Sequence, residues 1–423
     1  MNIWIINHYA VPPEMPGETR AFGFAKALTE QGHDVTLISS AFRHADLKYC
    51  EAAQRDPGKT AWLETCDGIR FLWLSASCYG GYLKRMWNMA EFAIRARFDR
   101  SLRELPRPDI IVGSTLTLFA ALAACRLARK LHVPFIFEVR DVWPQTLIDF
   151  GMSRWNPGVI LLGIIERYLC RKADTIVTLL PASIDHLRAC GAVCEIAWLP
   201  NGVHFGLVPQ PQKPCGYAPF KVVFAGSHSQ ANSPETLVHA AAVLQNRGRR
   251  DVHILFFGDG PLKAHLRKLA TDNQLTNVEF NNWVPKTEIF DVYSRADATV
   301  ALLQDVELYR FGMSLNKLHD YMAAGRPVIF AARSFNDPVS ESNCGIVVPP
   351  ENPVALADAI EKLVGMSLEE RWKMGLRGRE YAERHHDFLW LAEKLEDVLR
   401  RARQRFDESA SGKPARTAAS RVR

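Results

Sequence analysis

Short apolar runs alternate with helix-period segments along nearly the whole chain, and that alternation admits little besides parallel strands joined by crossover helices. Residues 3–7, 34–38, 69–74, 110–112, 135–139 and 175–179 read as strands, each followed by turn or helix signals. Between the first two, residues 19–31 place Phe22, Ala25, Ala27 and Leu28 at helical spacing and stop at Gly32. The expected unit is one doubly wound domain over residues 1–208.

Residues 208–219 then carry four prolines, too many for a helix or an inner strand, so 209–219 read as a linker. The pattern restarts after it. Residues 220–225, 252–257, 278–280, 298–302 and 328–331 are strand candidates with helices between them, giving a second doubly wound domain over 220–385. The fold class is therefore α/β, with two Rossmann-like domains facing across a cleft, and a ligand crevice is expected at their carboxyl-end loops. An amphipathic helix follows at 386–405, with Leu391, Leu395, Val398 and Leu399 at helical spacing, and a disordered basic tail is expected at 406–423.

The formal charge of +6 invites a nucleic-acid reading until it is located. From Arg400 onward eight Lys/Arg stand against Asp407 and Glu408, which accounts for the whole excess and leaves the folded body neutral. A basic-groove nucleic-acid binder is not expected. Nine scattered cysteines, with no C-x-x-C and no His pair at zinc spacing, argue against a disulfide framework and a structural metal and for a reduced, cytoplasmic protein. The opening residues look like a first strand rather than a signal peptide. The longest uncharged stretch, 110–125, is broken by Gly113-Ser114-Thr115 and falls short of the ~20 apolar residues of a membrane span.

Chemistry concentrates in a few segments. In residues 313–327, Ser314 is an N-cap candidate, residues 315–324 make a short helix, and Gly325 with Pro327 closes it. Asn316, Lys317 and Asp320 share one face near the helix start, where free amides beside a lysine suit a diphosphate and a carboxylate suits ribose hydroxyls. A plain Lys317–Asp320 salt bridge fits the spacing equally. Gly258 and Gly260 follow a strand and would let a nucleotide approach the backbone, although a third glycine for a dinucleotide fingerprint is missing. Gly226, Ser227 and His228 repeat the strand-then-glycine arrangement, with His228 either donating to phosphate or capping a helix. Glu138, Arg140 and Asp141 stand at another strand's end, as catalytic groups or as an ion pair of Arg140 with either carboxylate. Residues 82–103 combine Tyr82, Trp87, Phe92 and Phe98 with Lys84, Arg85, Arg95 and Arg97, which fits a helix packed on the sheet or one leaning on an anionic membrane.

These motifs, in this order, resemble the family 4 glycosyltransferases of the two-domain GT-B fold, and most closely the WbuB-like branch that includes O-antigen L-fucosaminyltransferases. The carriers are Asn7-His8-Tyr9 with Pro12-Pro13-Glu14 and Gly17, residues 137–144, Leu199-Pro200-Asn201-Gly202-Val203, Ala225 to His228, Gly258 to Pro261, and Asn316 to Gly325. The resemblance implies retaining, metal-independent transfer of a sugar from a nucleotide sugar, expected to be UDP-linked, to a lipid-linked saccharide of a bacterial surface polysaccharide, on the inner face of the cytoplasmic membrane. It implies no cofactor. Asp320 would bind ribose, Lys317 and the Gly226–His228 loop the diphosphate, and Val284 would lie near the base, with Gly17 beside the phosphates. Glu14, Arg20, Lys84, Arg85 and Trp87 are the expected acceptor or membrane contacts. The C-terminal helix would return to the first domain.

Three departures accompany the resemblance. The family's two glutamates eight positions apart fall here on Gly312 and Asp320, and its strand-end histidine on Arg140, which cannot act as a base at neutral pH. The usual Arg and Lys after the second domain's first strand are absent around Ser227-His228, which moves weight onto Lys317. A nucleotide-sugar epimerase and a catalytically silent binding subunit are the rival readings.

Overall fold

The computed structural model describes residues 1–213 and 219–411 and divides into two compact units. Unit 1 contains residues up to Pro12, Gly17–Pro200 and the chain from Leu389 onward; unit 2 contains Pro13–Pro16 and Asn201–Phe388.

Unit 1 is built on strands β1 (Asn2–Ile6), β2 (Asp34–Ser40), β3 (Ala61–Cys66), β4 (Ile69–Leu74), β5 (Ile110–Ser114), β6 (Phe135–Val139), β7 (Thr175–Thr178) and β8 (Glu195–Trp198). They form one sheet in the order β3-β4-β2-β1-β5-β6-β7-β8, parallel except for the β3–β4 pair. Strand order reverses between β1 and β5, so loops leaving their carboxyl ends, together with that of β6, converge where doubly wound sheets hold ligands. Unit 2 uses β9 (Phe220–Ala225), β10 (Val252–Phe257), β11 (Val278–Asn281), β12 (Ala298–Leu302), β13 (Val328–Ala331) and β14 (Gly345–Val348), all parallel, in the order β11-β10-β9-β12-β13-β14. Its reversal lies between β9 and β12.

The apolar runs are continuous because both faces of each sheet are covered. On β9, Val222 and Phe224 enter one core while Val223 and Ala225 enter the other, as the two-residue period of a strand requires. Three strands, β3, β8 and β14, have no counterpart in the sequence reading. All are edge strands, and their side chains mostly alternate with solvent or stay half-buried.

The boundaries also differ from expectation. Unit 2 begins at Asn201 rather than after a linker at 209, because residues 201–208 are tied into it. The Asn201 amide donates to Ser314 Oγ at 2.7 Å, and Val203 pairs with Asp387. Residues 214–218 of the proline-rich segment lie outside the described residues. The last helix runs Phe388–Ala410, beyond the expected end at 405, because Arg403–Asp407 and Gln404–Glu408 contacts one turn apart extend it. Arg401 and Arg405 of this helix grip Glu195, and Arg403 donates to the Asp109 carbonyl, which fastens it to unit 1. The rest of the expected tail, residues 412–423, lies outside the described residues. Among the described residues no helix is long and apolar enough to cross a membrane.

Candidate functional site

In unit 2 the helix Asn316–Ala323 meets the carboxyl end of β9. Tyr321 locks the two together: its hydroxyl donates to the Ala225 carbonyl at 3.0 Å and accepts from the Ala225 amide at 2.8 Å. Gly226, at φ 149°, follows directly, and a Cβ there would stand 3.0 Å from Lys317 Nζ. The lysine head therefore lies against a bare backbone at the point where strand order reverses. Gly258 and Gly260 serve the same loop. A Cβ on Gly258 would come within 2.1 Å of the Gly226 carbonyl oxygen and one on Gly260 within 2.6 Å of the His228 carbonyl oxygen, so these glycines let two loops touch.

Lys317 and Asp320 do not pair with each other. Lys317 Nζ donates to Asn232 Oδ1 at 2.8 Å and lies over the Phe224 ring, while Asn232 Nδ2 holds the exposed Ser227 through its carbonyl at 2.7 Å. With an amide oxygen and an aromatic ring for company, burial pushes Lys317 down to about 7. The Asp320 carboxylate instead takes Lys286, which follows half-buried Val284 by two residues. Its Oδ2 accepts from that ammonium, and Oδ1 is buried without a partner. Burial pushes the Asp320 carboxyl up, against the opposing pull of Lys286. The salt bridge allowed by spacing is thus replaced by two separate pairings. Neither Asn232 nor Lys286 was singled out by sequence, since both partners arrive from other elements.

Two expectations are corrected here. Ser314 does not cap the helix: Leu315 holds that position without a side-chain cap, while Ser314 Oγ accepts from Asn201. Asn316 is the first helical residue. His228 caps no helix either; its ring is fully buried against Phe224, Phe256 and Phe280, with neither ring nitrogen hydrogen-bonded. Burial, with Lys263 nearby, pushes it down to about 4, so the ring is neutral and the loop offers its backbone and the exposed Ser227.

In unit 1, Glu138, Arg140 and Asp141 sit at the end of β6 as expected, but two of them are already engaged. Glu138 accepts from Arg20 Nε at 3.0 Å, and Arg140 pairs with Glu18. Burial alone would raise the Glu138 carboxyl; Arg20 and Arg140 overturn that and hold it below the usual carboxylate range. Thr115 Oγ1 accepts from the Arg140 amide at 2.8 Å and fixes the turn. The Asp141 carboxylate, by contrast, makes no ion pair or side-chain hydrogen bond among the described residues. Burial pushes it up while Arg140 pulls it down. It is the member of the trio that remains chemically available. Glu18, which completes the network and also accepts from Asn7 Nδ2 at 2.9 Å, escaped the sequence reading.

The expected acceptor or membrane contacts divide. Arg20 is 1% exposed and donates to Glu138 and to the carbonyls of Leu199 and Pro200, so it is a structural cation. Arg85 is half-buried, with its charge beside Tyr9 and His44. Lys84 and Trp87 stay exposed on the helix Tyr82–Phe98. Glu14 is exposed and groups with unit 2, while Gly17, in unit 1, is exposed at φ 149°, and a Cβ there would stand 2.8 Å from Val11 Cγ2.

Two family models match the chain: a glycosyl transferase 4-like domain over residues 17–202 and glycosyl transferases group 1 over residues 219–365. WcaI of Escherichia coli K12, named as a colanic acid biosynthesis glycosyl transferase, is 23% identical over 415 residues, covering 89% of this chain and 94% of that protein. WbjE of Pseudomonas aeruginosa, named as a glycosyltransferase, is 23% identical over 283 residues, covering 62% and 68%. Among solved structures, sucrose-phosphate synthase from Thermosynechococcus elongatus superposes with a TM-score of 0.74 at 17% identity, covering 95% of this chain and 98% of that one. Anabaena HepE in complex with UDP and glucose gives 0.67 at 14% identity, covering 94% and 98%. Both doubly wound units and both family models agree, and the chain belongs to the GT-B glycosyltransferases of family 4.

Proposed function

We propose that this glycosyltransferase moves a sugar, an N-acetylated deoxysugar by its WbuB-like motifs, from a UDP-linked donor to a lipid-linked saccharide in bacterial surface polysaccharide synthesis. The observation that carries the donor side is the separation of Lys317 from Asp320. Among the described residues, one helix presents an ammonium with no anion and a carboxylate with one oxygen unused, against a loop that bears no side chain at Gly226. A nucleoside diphosphate complements all three. The diphosphate meets Lys317 and the amides of the Gly226 loop, a ribose hydroxyl donates to Asp320, and the base lies toward Val284. As the glycosidic bond breaks, charge grows on the diphosphate; a fixed ammonium in a low-dielectric setting stabilises it without a metal at the reaction centre. Retention of anomeric configuration follows if the leaving phosphate itself takes the acceptor proton. Asp141 serves the acceptor side, with Glu138 and Arg140 positioning the turn that carries it. The complexes of HepE with UDP-glucose and of a trehalose-6-phosphate enzyme with UDP-2-fluoro glucose support the choice of nucleotide.

A location on the cytoplasmic face of the membrane is supported by the helix Tyr82–Phe98. Leu83 (80% exposed), Trp87 (62%), Ile94 and Phe98 form one uncovered apolar stripe flanked by Lys84 and Arg97.

A thermal-shift screen over nucleotide sugars tests the donor assignment, since a ligand at ~100 times its Kd adds about 2.7 kcal/mol. The expected hit is a UDP-sugar, lost in Asp320→Ala and Lys317→Met. Conversion of that sugar without acceptor would instead identify an epimerase.

A further inference from the structure

Unit 1 holds a second cluster of reactive side chains, away from β6 and unused by the transfer chemistry. Helix Pro157–Lys172 contributes Glu166 and Cys170, four residues apart on one face. Helix Ile184–Ala189 contributes His186 and, at its C-cap, Cys190, again four apart. One Glu166 carboxylate oxygen lies 3.3 Å from His186 Nε2, and Cys190 Sγ lies 3.5 Å from Glu166 Oε2 and 3.5 Å from His186 Nε2. The Cys170 thiol lies beside Cys190.

Those separations are the edges of a coordination tetrahedron. With zinc–nitrogen and zinc–oxygen bonds of ~2.0–2.1 Å and zinc–sulfur bonds of ~2.3 Å, neighbouring ligands stand about 3.3 Å apart for N···O and about 3.5 Å for S···N and S···O. The oxygen, nitrogen and sulfur ligand types are also those zinc accepts. We propose that Glu166, His186 and Cys190 bind a zinc-like divalent cation, with the fourth position open to water and Cys170 supporting the Cys190 sulfur through its thiol.

Charge supports the assignment. With the Glu166 carboxylate, the Cys190 thiolate and a neutral His186 imidazole, a dication makes a set of zero net charge, which suits the buried position of Glu166. Binding the metal releases to solvent whatever protons the ligand atoms carry. The half-exposed His186 provides the entry. The bound metal would clamp two helices that pack beside β7, a structural role separate from sugar transfer. Sequence spacing conceals the site because its ligands come as two i,i+4 pairs with different residue types, unlike the C-x-x-C and paired-His patterns of zinc motifs.

The test uses full-length protein stripped with chelator. Zinc titration against a chromophoric chelator should give one equivalent, and cobalt(II) in its place should show thiolate-to-metal charge transfer and the strong visible bands of tetrahedral coordination. Cys190→Ser and His186→Gln should each weaken zinc binding by at least ~100-fold and Cys170→Ser by ~10-fold, the usual scale for an outer-shell partner. Cys344→Ser, in unit 2, should leave it unchanged. Zinc should also slow alkylation of Cys190 in the unmutated protein, a readout that stands even if the variants fail to fold. Absence of a stoichiometric site, equal affinity in Cys190→Ser, a weak octahedral cobalt spectrum, or alkylation indifferent to zinc would each overturn the proposal.

Discussion

Lys286 neutralises Asp320 from outside the helix that carries it, so the carboxylate does not draw on Lys317 three residues before it. Because Asp320 is 4% exposed, removing its cation strands a buried charge. Lys286→Met should destabilise unit 2 by ~1–3 kcal/mol, and Lys286→Met/Asp320→Asn by less than Lys286→Met alone. Urea denaturation of the unmutated protein, the two single variants and the double variant checks this; additive losses would show that the two groups do not interact.

Lys317, held down to about 7 by burial, is largely neutral at pH 8.5 in the free protein. A bound diphosphate favours its charged form and raises it, so donor binding takes up a proton between the free and bound values. Affinity should then fall as pH rises above 7, by up to tenfold per unit, and stay level below. Titration calorimetry in buffers of different ionisation enthalpy measures the uptake. Lys317→Met should lose both the uptake and most of the affinity, while its free form melts a few degrees higher.

Asp141→Asn should lower kcat by roughly 10²–10⁴-fold and leave UDP-sugar affinity unaltered. Arg20→Met, by contrast, uncovers buried Glu138 and should cost ~3–5 kcal/mol of stability. Parallel kinetics and thermal melts separate the two behaviours, and an active, stable Arg20→Met protein would contradict the structural role given to that arginine.

Gly258→Ala places a methyl 2.1 Å from the Gly226 carbonyl oxygen at a φ of 133°. The loops must part, so a loss above ~2 kcal/mol is expected together with weakened nucleotide binding. Gly248→Ala, which also has a positive φ but meets nothing within 4 Å, is the control for backbone strain alone.

Leu83→Ser and Trp87→Ser should each reduce partition into anionic vesicles about tenfold, since each removes ~1.5 kcal/mol or more of apolar burial. Flotation with and without high salt separates this apolar part from the contribution of Lys84.

Sequence alone determined the parts that periodicity and backbone chemistry dictate. The inner strands were legible because both their faces are buried, and the glycine turns after β9 and β10 because only glycine lets two loops approach so closely. The helix bearing Lys317 and Asp320 was legible from its spacing and closing Gly-Arg-Pro. Edge strands β3, β8 and β14 were not: β3 mixes apolar with polar residues, and the apolar stretches of β8 and β14 are only three residues long. Tertiary structure alone decided the partners. Lys286, Asn232 and Glu18 reach Asp320, Lys317 and Arg140 from distant positions, and burial sent His228 and Arg20 into the interior although each carries a polar head. Local spacing states which groups can share a face; which of them stay unpaired depends on charges delivered by other elements, and that is set only when the sheets assemble.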